Sequence, residues 1–294
     1  MILYILFLSL VAAILTAVVL IHAGFRAPRR KEQGVPGDYG IVYEELHIRT
    51  AGGKQLFAWH LPNAPDAATV IVLHGWGGNA ELMLPLAIPF HRAGLNVLLI
   101  DARGHGGSDS AFFTSLPRFT EDLEHAVEWV KARSGAFNQS IVLLGHSVGA
   151  GAALYAASKR RDISAVISVA AFAHPERMMR RYLARFRLPG WLSGFVLRYV
   201  EWVIGRRYEE FAPLNTLRRI TCPVLLVHGS RDQTVPVSDA IAMADGSREN
   251  AIELLIVEGA GHDSMEKLES ESAHLIDFLH DHGIGTAARR TCAS

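Results

Sequence analysis

Cysteine is scarce in this chain of 294 residues, and metal-site spacing is missing from it. The two cysteines, Cys222 and Cys292, stand far apart, which argues against a disulfide framework. The 14 histidines are scattered without an HxxxH pair, so the sequence predicts no metal. Basic and acidic residues balance at 29 each, so no net charge favours nucleic acid as a partner.

Charge is also absent from the first apolar run, Ile2 to Ile21. In a helix these 20 residues, at about 1.5 Å each, span the roughly 30 Å hydrocarbon core of a bilayer. No basic residue precedes the run and no small-residue cleavage site closes it, so a transmembrane anchor at 1–24 is favoured over a cleaved signal peptide or a buried helix. The positive-inside rule then predicts a single-pass protein with a cytoplasmic main domain, because the run is followed by Arg26, Arg29, Arg30 and Lys31.

The rest of the chain is interpreted as one domain with an insertion. Residues 25–39 are polar and read as a linker, and residues 284–294 as a tail. Between them, at 40–283, a predicted hairpin is followed by buried strand patterns that alternate with helix patterns. This alternation predicts an α/β fold, a mostly parallel sheet with helices on both faces. Residues 173–221 interrupt the alternation where a single helix would suffice, so they are interpreted as an insertion above the sheet.

The sequence GHSVG at 145–149 fits the pattern G-x-S-x-G between a predicted strand and a predicted helix. In a nucleophile elbow the serine occupies a strained turn, and its neighbours are small because strand and helix approach closely there. Small residues continue through 150–152. We therefore predict Ser147 as a catalytic nucleophile; the competing interpretation is a serine that caps a Gly-rich turn.

A serine nucleophile requires a base, and the base requires a carboxylate that orients it. After a serine on a nucleophile elbow, the acid comes next in the chain and the base follows it. Asp232 is the candidate acid and His262 the candidate base, and each lies in a loop after a predicted strand. Asp263 is a rival acid, but an immediate neighbour of the base cannot easily reach its far ring nitrogen, so Asp263 is interpreted as a helix cap. The competing role for Asp232 is an Asx turn.

Two backbone N–H groups are needed for an oxyanion hole. One is predicted from Val148, the residue after the nucleophile, and the other from Trp76 in the loop HGWGG at 74–78. His74 is a possible second base, but a hydrogen bond that braces this loop is the favoured interpretation.

Residues 40–282 resemble α/β-hydrolase-fold serine hydrolases, in particular the bacterial group of serine aminopeptidases and monoacylglycerol lipases. The resemblance implies an eight-stranded sheet, a helical cap after the sixth strand and no cofactor. It also implies structural roles for Asp101, Arg103 and Asp109. A serine at the nucleophile position speaks against haloalkane dehalogenases and epoxide hydrolases. The motifs that carry the resemblance are HGWGG, DARGHGGSD, GHSVG, HGSRDQTVP and GAGH.

The inserted segment is basic and aromatic. From Phe172 to Ala212 it contains eight arginines, no lysine and four glutamates. One interpretation is a lid with a solvated arginine face. The other is a surface that rests on anionic lipid headgroups, through side chains that include Arg180, Arg181 and Arg185.

The predicted function is an esterase or lipase-like serine hydrolase that works through an acyl-enzyme on a small-molecule or lipid acyl ester. A peptidase or amidase with the same triad is the alternative, and Glu201, Glu209 and Glu210 are candidates to bind a substrate amine. A non-catalytic scaffold tethered to the membrane is the remaining hypothesis.

Overall fold

The computed structural model describes residues 1–134, 140–246 and 252–285. Within them eight strands form one sheet in the order β1-β2-β4-β3-β5-β6-β7-β8. The strands are β1 (Glu44–Arg49), β2 (Gln55–Leu61), β3 (Thr69–Leu73), β4 (Asn96–Ile100), β5 (Ile141–His146), β6 (Ala165–Val169), β7 (Val224–Gly229) and β8 (Ile252–Val257).

The predicted eight-stranded, mostly parallel sheet is confirmed. β1 and β2 form an antiparallel hairpin, and β2 also pairs antiparallel with β4. All other neighbouring strands are parallel. Strands β3 to β7 are buried along their whole length, which is why they read as continuous apolar runs. Their carboxyl ends therefore meet at one edge of the sheet.

Helices cover both faces of the sheet because side chains alternate along each strand. In β3, Val70 and Val72 face one apolar layer, while Ile71 and Leu73 face the other. The first layer contains α2 (Leu84–Arg92), α10 (Met265–Glu269) and α11 (Ser272–Asp281). The second contains α3 (Leu116–Ser134), α4 (Val148–Ala157) and α9 (Val237–Asp245).

Four helices lie between β6 and β7, within the predicted insertion. They are α5 (Pro175–Ala184), α6 (Gly190–Ile204), α7 (Tyr208–Phe211) and α8 (Pro213–Thr216). Their apolar residues form a third cluster with Leu116 and Tyr155 of the main domain. This cluster places α5 to α7 over the carboxyl end of α4 and the start of α3.

The first helix, α1 (Ile2–Gly24), has 23 residues and a window of mean hydropathy 2.8 in which nothing is buried. Length and composition suit either a membrane span or a signal sequence. The helix ends at the main domain, where the predicted linker 25–39 lies along loops of the sheet edge. In the predicted tail 284–294, residues 286–294 lie outside the described part of the chain.

Candidate active site

The turn between β5 and α4 holds Ser147 in a strained conformation, with φ 55° and ψ −114°. The flanking glycines explain why the turn can form. A Cβ on Gly145 would lie 2.2 Å from the carbonyl oxygen of Gly149, and one on Gly149 would lie 2.4 Å from that of His74. Both positions therefore exclude any side chain, as the sequence interpretation of close approach requires.

Ser147, His262 and Asp232 meet at the carboxyl edge of the sheet. The Ser147 hydroxyl donates to Nε2 of His262 at 3.0 Å, and Nδ1–H of His262 donates to Oδ2 of Asp232 at 2.7 Å. Asp232 follows β7 and His262 follows β8. Because these strands are adjacent and parallel, the two side chains lie next to each other at the carboxyl edge of the sheet. The structure thus brings together all three side chains singled out in the sequence.

The surroundings of Asp232 keep its carboxylate ionised. Oδ1 accepts hydrogen bonds from the N–H groups of Thr234 and Val235, both at 2.8 Å. Nε2–H of His228 donates to the Val235 carbonyl and also lies 3.4 Å from Oδ2 of Asp232. Burial works to raise the pKa of Asp232, but the hydrogen bonds from His228, His262 and Val235 outweigh it and lower the pKa below its usual range.

The rival acid does not hold the imidazole. Both ring nitrogens of His262 are already bonded, to Asp232 and to Ser147, and its sequence neighbour Asp263 bonds to neither. The cap predicted for Asp263 is also not seen in the described residues, because α10 begins after Ser264 without a side-chain capping bond.

The loop that follows β3 passes beside the serine. A Cβ on Gly75 would lie 3.1 Å from Cβ of Ser147, so the backbone next to Trp76 borders the nucleophile. Val148 is the first residue of α4, where N–H groups have no acceptor within the helix. In the described residues neither Trp76 nor Val148 donates its N–H to a protein acceptor.

His74 holds this loop through hydrogen bonds of both its ring nitrogens. Its Nδ1–H donates to the Gly75 carbonyl at 2.6 Å, and its Nε2 accepts from the N–H of Ala102 at 3.0 Å. Burial and the nearby His105 lower the pKa of His74 to about 3, so the ring is neutral, as these bonds require. Both nitrogens are engaged in the scaffold, and His74 is not placed to serve as a second base.

His146 is a site residue that the sequence interpretation missed. Its Nε2–H donates to the backbone carbonyl of His262 at 2.9 Å, and the two rings lie 5.0 Å apart. Burial and the charge of His262 lower the pKa of His146 to about 4, which keeps it neutral. The strand that carries the nucleophile therefore also holds the loop of the base. The signal was its position inside the GHSVG pentapeptide.

The loop after β4 is built from the polar residues that the resemblance implied were structural. Asp101 accepts the N–H groups of Ala80 and Gly107, at 2.7 and 2.8 Å. Asp109 accepts the N–H of Gln55 at 2.9 Å. Arg103 pairs with Asp122 at 2.6 Å and also with a second acidic residue of α3, Glu121.

His146, His262 and Asp263 each offer a metal-ligand atom, and these atoms lie within 4.8 Å of one another. However, Nε2 and Nδ1 of His262 are committed to Ser147 and Asp232. A cation bound here would compete with the hydroxyl for Nε2. The grouping therefore shares its central ligand, His262, with the hydrogen bonds to Ser147 and Asp232.

The chain is similar to several known proteins. The protein YfhR of Salmonella typhimurium is 28% identical over 273 residues, which cover 87% of this chain and 86% of YfhR. The uncharacterized membrane protein YNL320W of Saccharomyces cerevisiae is 29% identical over 145 residues, 49% of this chain and 50% of that protein. The structure of the Pyrococcus furiosus esterase Pf2001 superposes with a TM-score of 0.71 and 27% identity, covering 87% of this chain and 97% of the esterase.

Two family descriptions together match residues 64–290. Residues 205–290 match the family described as TAP-like protein. Residues 64–211, half of the chain, match the family described as serine aminopeptidase, S33. The chain therefore belongs to the serine aminopeptidase S33 family of α/β-hydrolases, and it is a hydrolase with esterases among its structural neighbours.

Proposed function

We propose that this chain is a serine hydrolase that cleaves carboxylic esters, with Ser147 as nucleophile, His262 as general base and Asp232 as the acid that orients it. One observation carries the proposal. An unbroken line of hydrogen bonds runs from the Ser147 hydroxyl through both nitrogens of the imidazole to a buried carboxylate. That arrangement makes an alcohol reactive at neutral pH.

The reaction begins when Ser147 Oγ attacks the ester carbonyl and its proton passes to Nε2 of His262. Asp232 stabilises the imidazolium that forms. The N–H groups of Trp76 and Val148 bind the oxygen that becomes negative. The imidazolium then protonates the leaving alcohol, and water, deprotonated by the same imidazole, releases the acid from the acyl-enzyme.

The surroundings of the triad favour an apolar acyl group. Val148 follows the nucleophile and Val235 lies three residues after the acid, and both belong to or pack against the apolar cluster under α5 to α7. Phe172 and Leu197 are part of the same cluster. An acyl chain that contacts these side chains would exchange water for carbon neighbours, which is worth about 0.8 kcal/mol per buried methylene.

The peptidase alternative is weaker because the acidic side chains of α6 and α7 are occupied. Glu201 accepts the N–H of Tyr208 at 2.8 Å. Glu209 accepts from His174 at 3.0 Å and from Asn215 at 2.7 Å. Glu210 accepts the N–H of Arg207 at 3.1 Å. Each of these three carboxylates therefore already has a partner in this chain, with which the amine of a peptide would compete.

The domain organisation is part of the proposal. Residues 1–24 anchor the protein in a membrane, with the basic residues after α1 holding the hydrolase domain, 40–283, on the cytoplasmic side. Residues 173–221 form its cap. Support comes from the length and exposure of α1 and from the yeast relative, which is named a membrane protein.

Labelling with a fluorophosphonate tests the nucleophile. The full chain in detergent should react, and Ser147→Ala should not, while Ser110→Ala, which changes an exposed serine, should react like the unaltered chain. A panel of p-nitrophenyl esters of increasing acyl length, run beside aminoacyl anilides, then separates ester from amide hydrolysis. Labelling that persists in Ser147→Ala, or faster cleavage of the anilides, would contradict the proposal.

A further inference from the structure

The chain does not leave α1 as a free linker; it lies against the loop that borders the nucleophile. We call residues 25–34 the tether segment and residues 74–80 the oxyanion loop. The Phe25 ring stacks on Phe113 with centroids 4.6 Å apart, and it meets Trp76 edge to face at 6.4 Å. Its backbone carbonyl accepts the N–H of Thr114 at 3.2 Å.

The middle of the tether segment covers the glycines of the oxyanion loop. A Cβ on Gly77 would lie 3.1 Å from Cγ of Pro28, so the proline ring packs directly on that backbone. Gly77 has a φ of 71°, a conformation that few other residues adopt. Two residues later, Asn79 donates from its side chain to the carbonyl of Arg30 at 3.4 Å.

The end of the tether segment fixes the far end of the oxyanion loop through two carboxyl groups. A Cβ on Gly106 would be 1.8 Å from Oδ2 of Asp101 and 2.4 Å from Oε1 of Glu32, so both oxygens crowd the space that a side chain at this glycine would occupy. Oδ1 of the same Asp101 accepts the N–H of Ala80. Glu32 is thus connected to the oxyanion loop through one shared aspartate.

A shared proton accounts for the approach of these two carboxyl groups. Burial raises the pKa of Asp101 well above its usual range, and the hydrogen bond and charge of Glu32 raise it further. Oε1 of Glu32 is buried and receives no hydrogen bond from an N–H group among the described residues. One proton between Asp101 and Glu32 satisfies this otherwise unpaired oxygen.

The last two residues of the tether segment form hydrogen bonds with the residue that follows the oxyanion loop. The N–H groups of Gln33 and Gly34 donate to the two carboxylate oxygens of Glu81, at 2.7 and 3.0 Å. Glu81 directly follows the oxyanion loop in sequence. The loop is therefore held by the tether segment at its aromatic start, at its glycine centre and at its end.

We propose that the tether segment is a positioning element of the active site, which holds the oxyanion loop in the conformation that binds the developing negative charge. The inference rests on the proposed function, since it assigns a role within that reaction. It makes turnover depend on residues that lie outside the catalytic sheet and connect directly to α1. A segment that only joined two parts of the chain would have no such effect on catalysis.

The test compares variants of Glu32 and Pro28 in the full chain, with p-nitrophenyl ester hydrolysis as the assay. Glu32→Ala removes the shared proton, and Pro28→Gly removes the ring that covers Gly77. In each, kcat is expected to fall about tenfold while KM stays within about twofold, because a misplaced donor weakens the transition state and not the bound ester. Glu32→Gln should recover most of kcat, since its amide can donate to Asp101.

A boronic acid that forms a tetrahedral adduct with the serine supplies the second measurement. Its inhibition constant should rise in Glu32→Ala and Pro28→Gly by the same factor as kcat falls, because the adduct mimics the transition state. Glu45→Gln, at an exposed position of β1, should match the unaltered chain in both measurements. If Glu32→Ala does not fold, Pro28→Gly decides.

The outcomes separate the two proposals. If the unaltered chain hydrolyses no ester and takes no fluorophosphonate, the proposed function fails. If it is active and the variants at Glu32 and Pro28 keep its kcat, only the positioning role of the tether segment is overturned. A loss of kcat without weaker boronic acid binding, or an equal loss in Glu45→Gln, also overturns that role.

Discussion

At the residue scale, the two glycines beside Ser147 impose a steric limit that can be measured. Gly145→Ala would push a methyl group into the carbonyl of Gly149, so the turn must distort. We expect the free energy of unfolding to fall by about 3 kcal/mol, as for other overpacked sites, and fluorophosphonate labelling to be lost. Gly190→Ala, where no atom lies within 4 Å of the added Cβ, is the control for urea unfolding.

The acid of the triad gives a second prediction at this scale. Asp232→Asn keeps the shape of the side chain but cannot stabilise the imidazolium, and its amide favours the wrong tautomer of His262. We expect kcat to fall by about 10⁴-fold with little change in folding. Asp263→Asn is the matched control and should stay within a few-fold of the unaltered chain. An equal loss in both variants would return Asp263 to the list of candidate acids.

At the element scale, α5 is attached to the main domain by an ion pair. Arg181 contacts Asp239 of α9 at 2.8 Å, and Asp239 also accepts the N–H of Ala173 at 3.0 Å. Arg181 was one of the arginines expected to face lipid headgroups, but its side chain is directed to the protein. Arg180 is engaged as well, with Glu176 one turn earlier in the same helix.

We expect Arg181→Gln to loosen α5 over the apolar cluster. KM for long-chain p-nitrophenyl esters should rise several-fold while kcat changes little, because the pair holds the helix over the cluster where we propose that the acyl chain binds and does not contact the triad. Arg185→Gln alters an exposed arginine of the same segment and should leave KM unchanged. Equal KM values for Arg181→Gln and the unaltered chain would show that α5 is held without this pair.

The features that the sequence could predict are those marked by a pattern within a short stretch of the chain. The elbow and the strand ends are local signals, the chain order of nucleophile, acid and base selects among the loops that they mark, and the structure joins the three side chains as expected. The contact of Pro28 with Gly77 and the pair of Arg181 with Asp239 join distant positions that have no periodic pattern. His146 lies inside the GHSVG pattern, but its role was missed because its acceptor is the backbone carbonyl of a residue 116 positions away.

At the scale of the whole molecule, buried histidines predict how stability depends on pH. Burial lowers the pKa of His74 to about 3 and the pKa values of His105 and His146 to about 4, against 6.5 for an ordinary histidine. Between these values the unfolded chain binds more protons, so stability falls as the pH falls. Each group contributes about 1.4 kcal/mol per pH unit, and the raised pKa of Asp101 offsets part of this.

Urea unfolding at pH 7, 6 and 5 measures the effect. The midpoint should decrease steadily toward low pH in the unaltered chain. His105→Phe keeps the ring packing against Phe119 and His74 but cannot titrate. The free energy of unfolding of this variant should therefore depend less steeply on pH, by the slope that corresponds to about one proton. A midpoint that is constant from pH 7 to pH 5 would contradict the assignment of these rings as buried and neutral.

One contact at the end of α1 has a mechanical consequence. His22 and the hydroxyl of Tyr199, on α6, lie within hydrogen-bond distance at 3.0 Å. Any outward displacement of α6 would have to break this contact or move the end of α1 with it. If α1 lies in lipid, as we propose, the bilayer would resist that pull, and membrane thickness and stiffness would then limit how far α6 can move away from the active site.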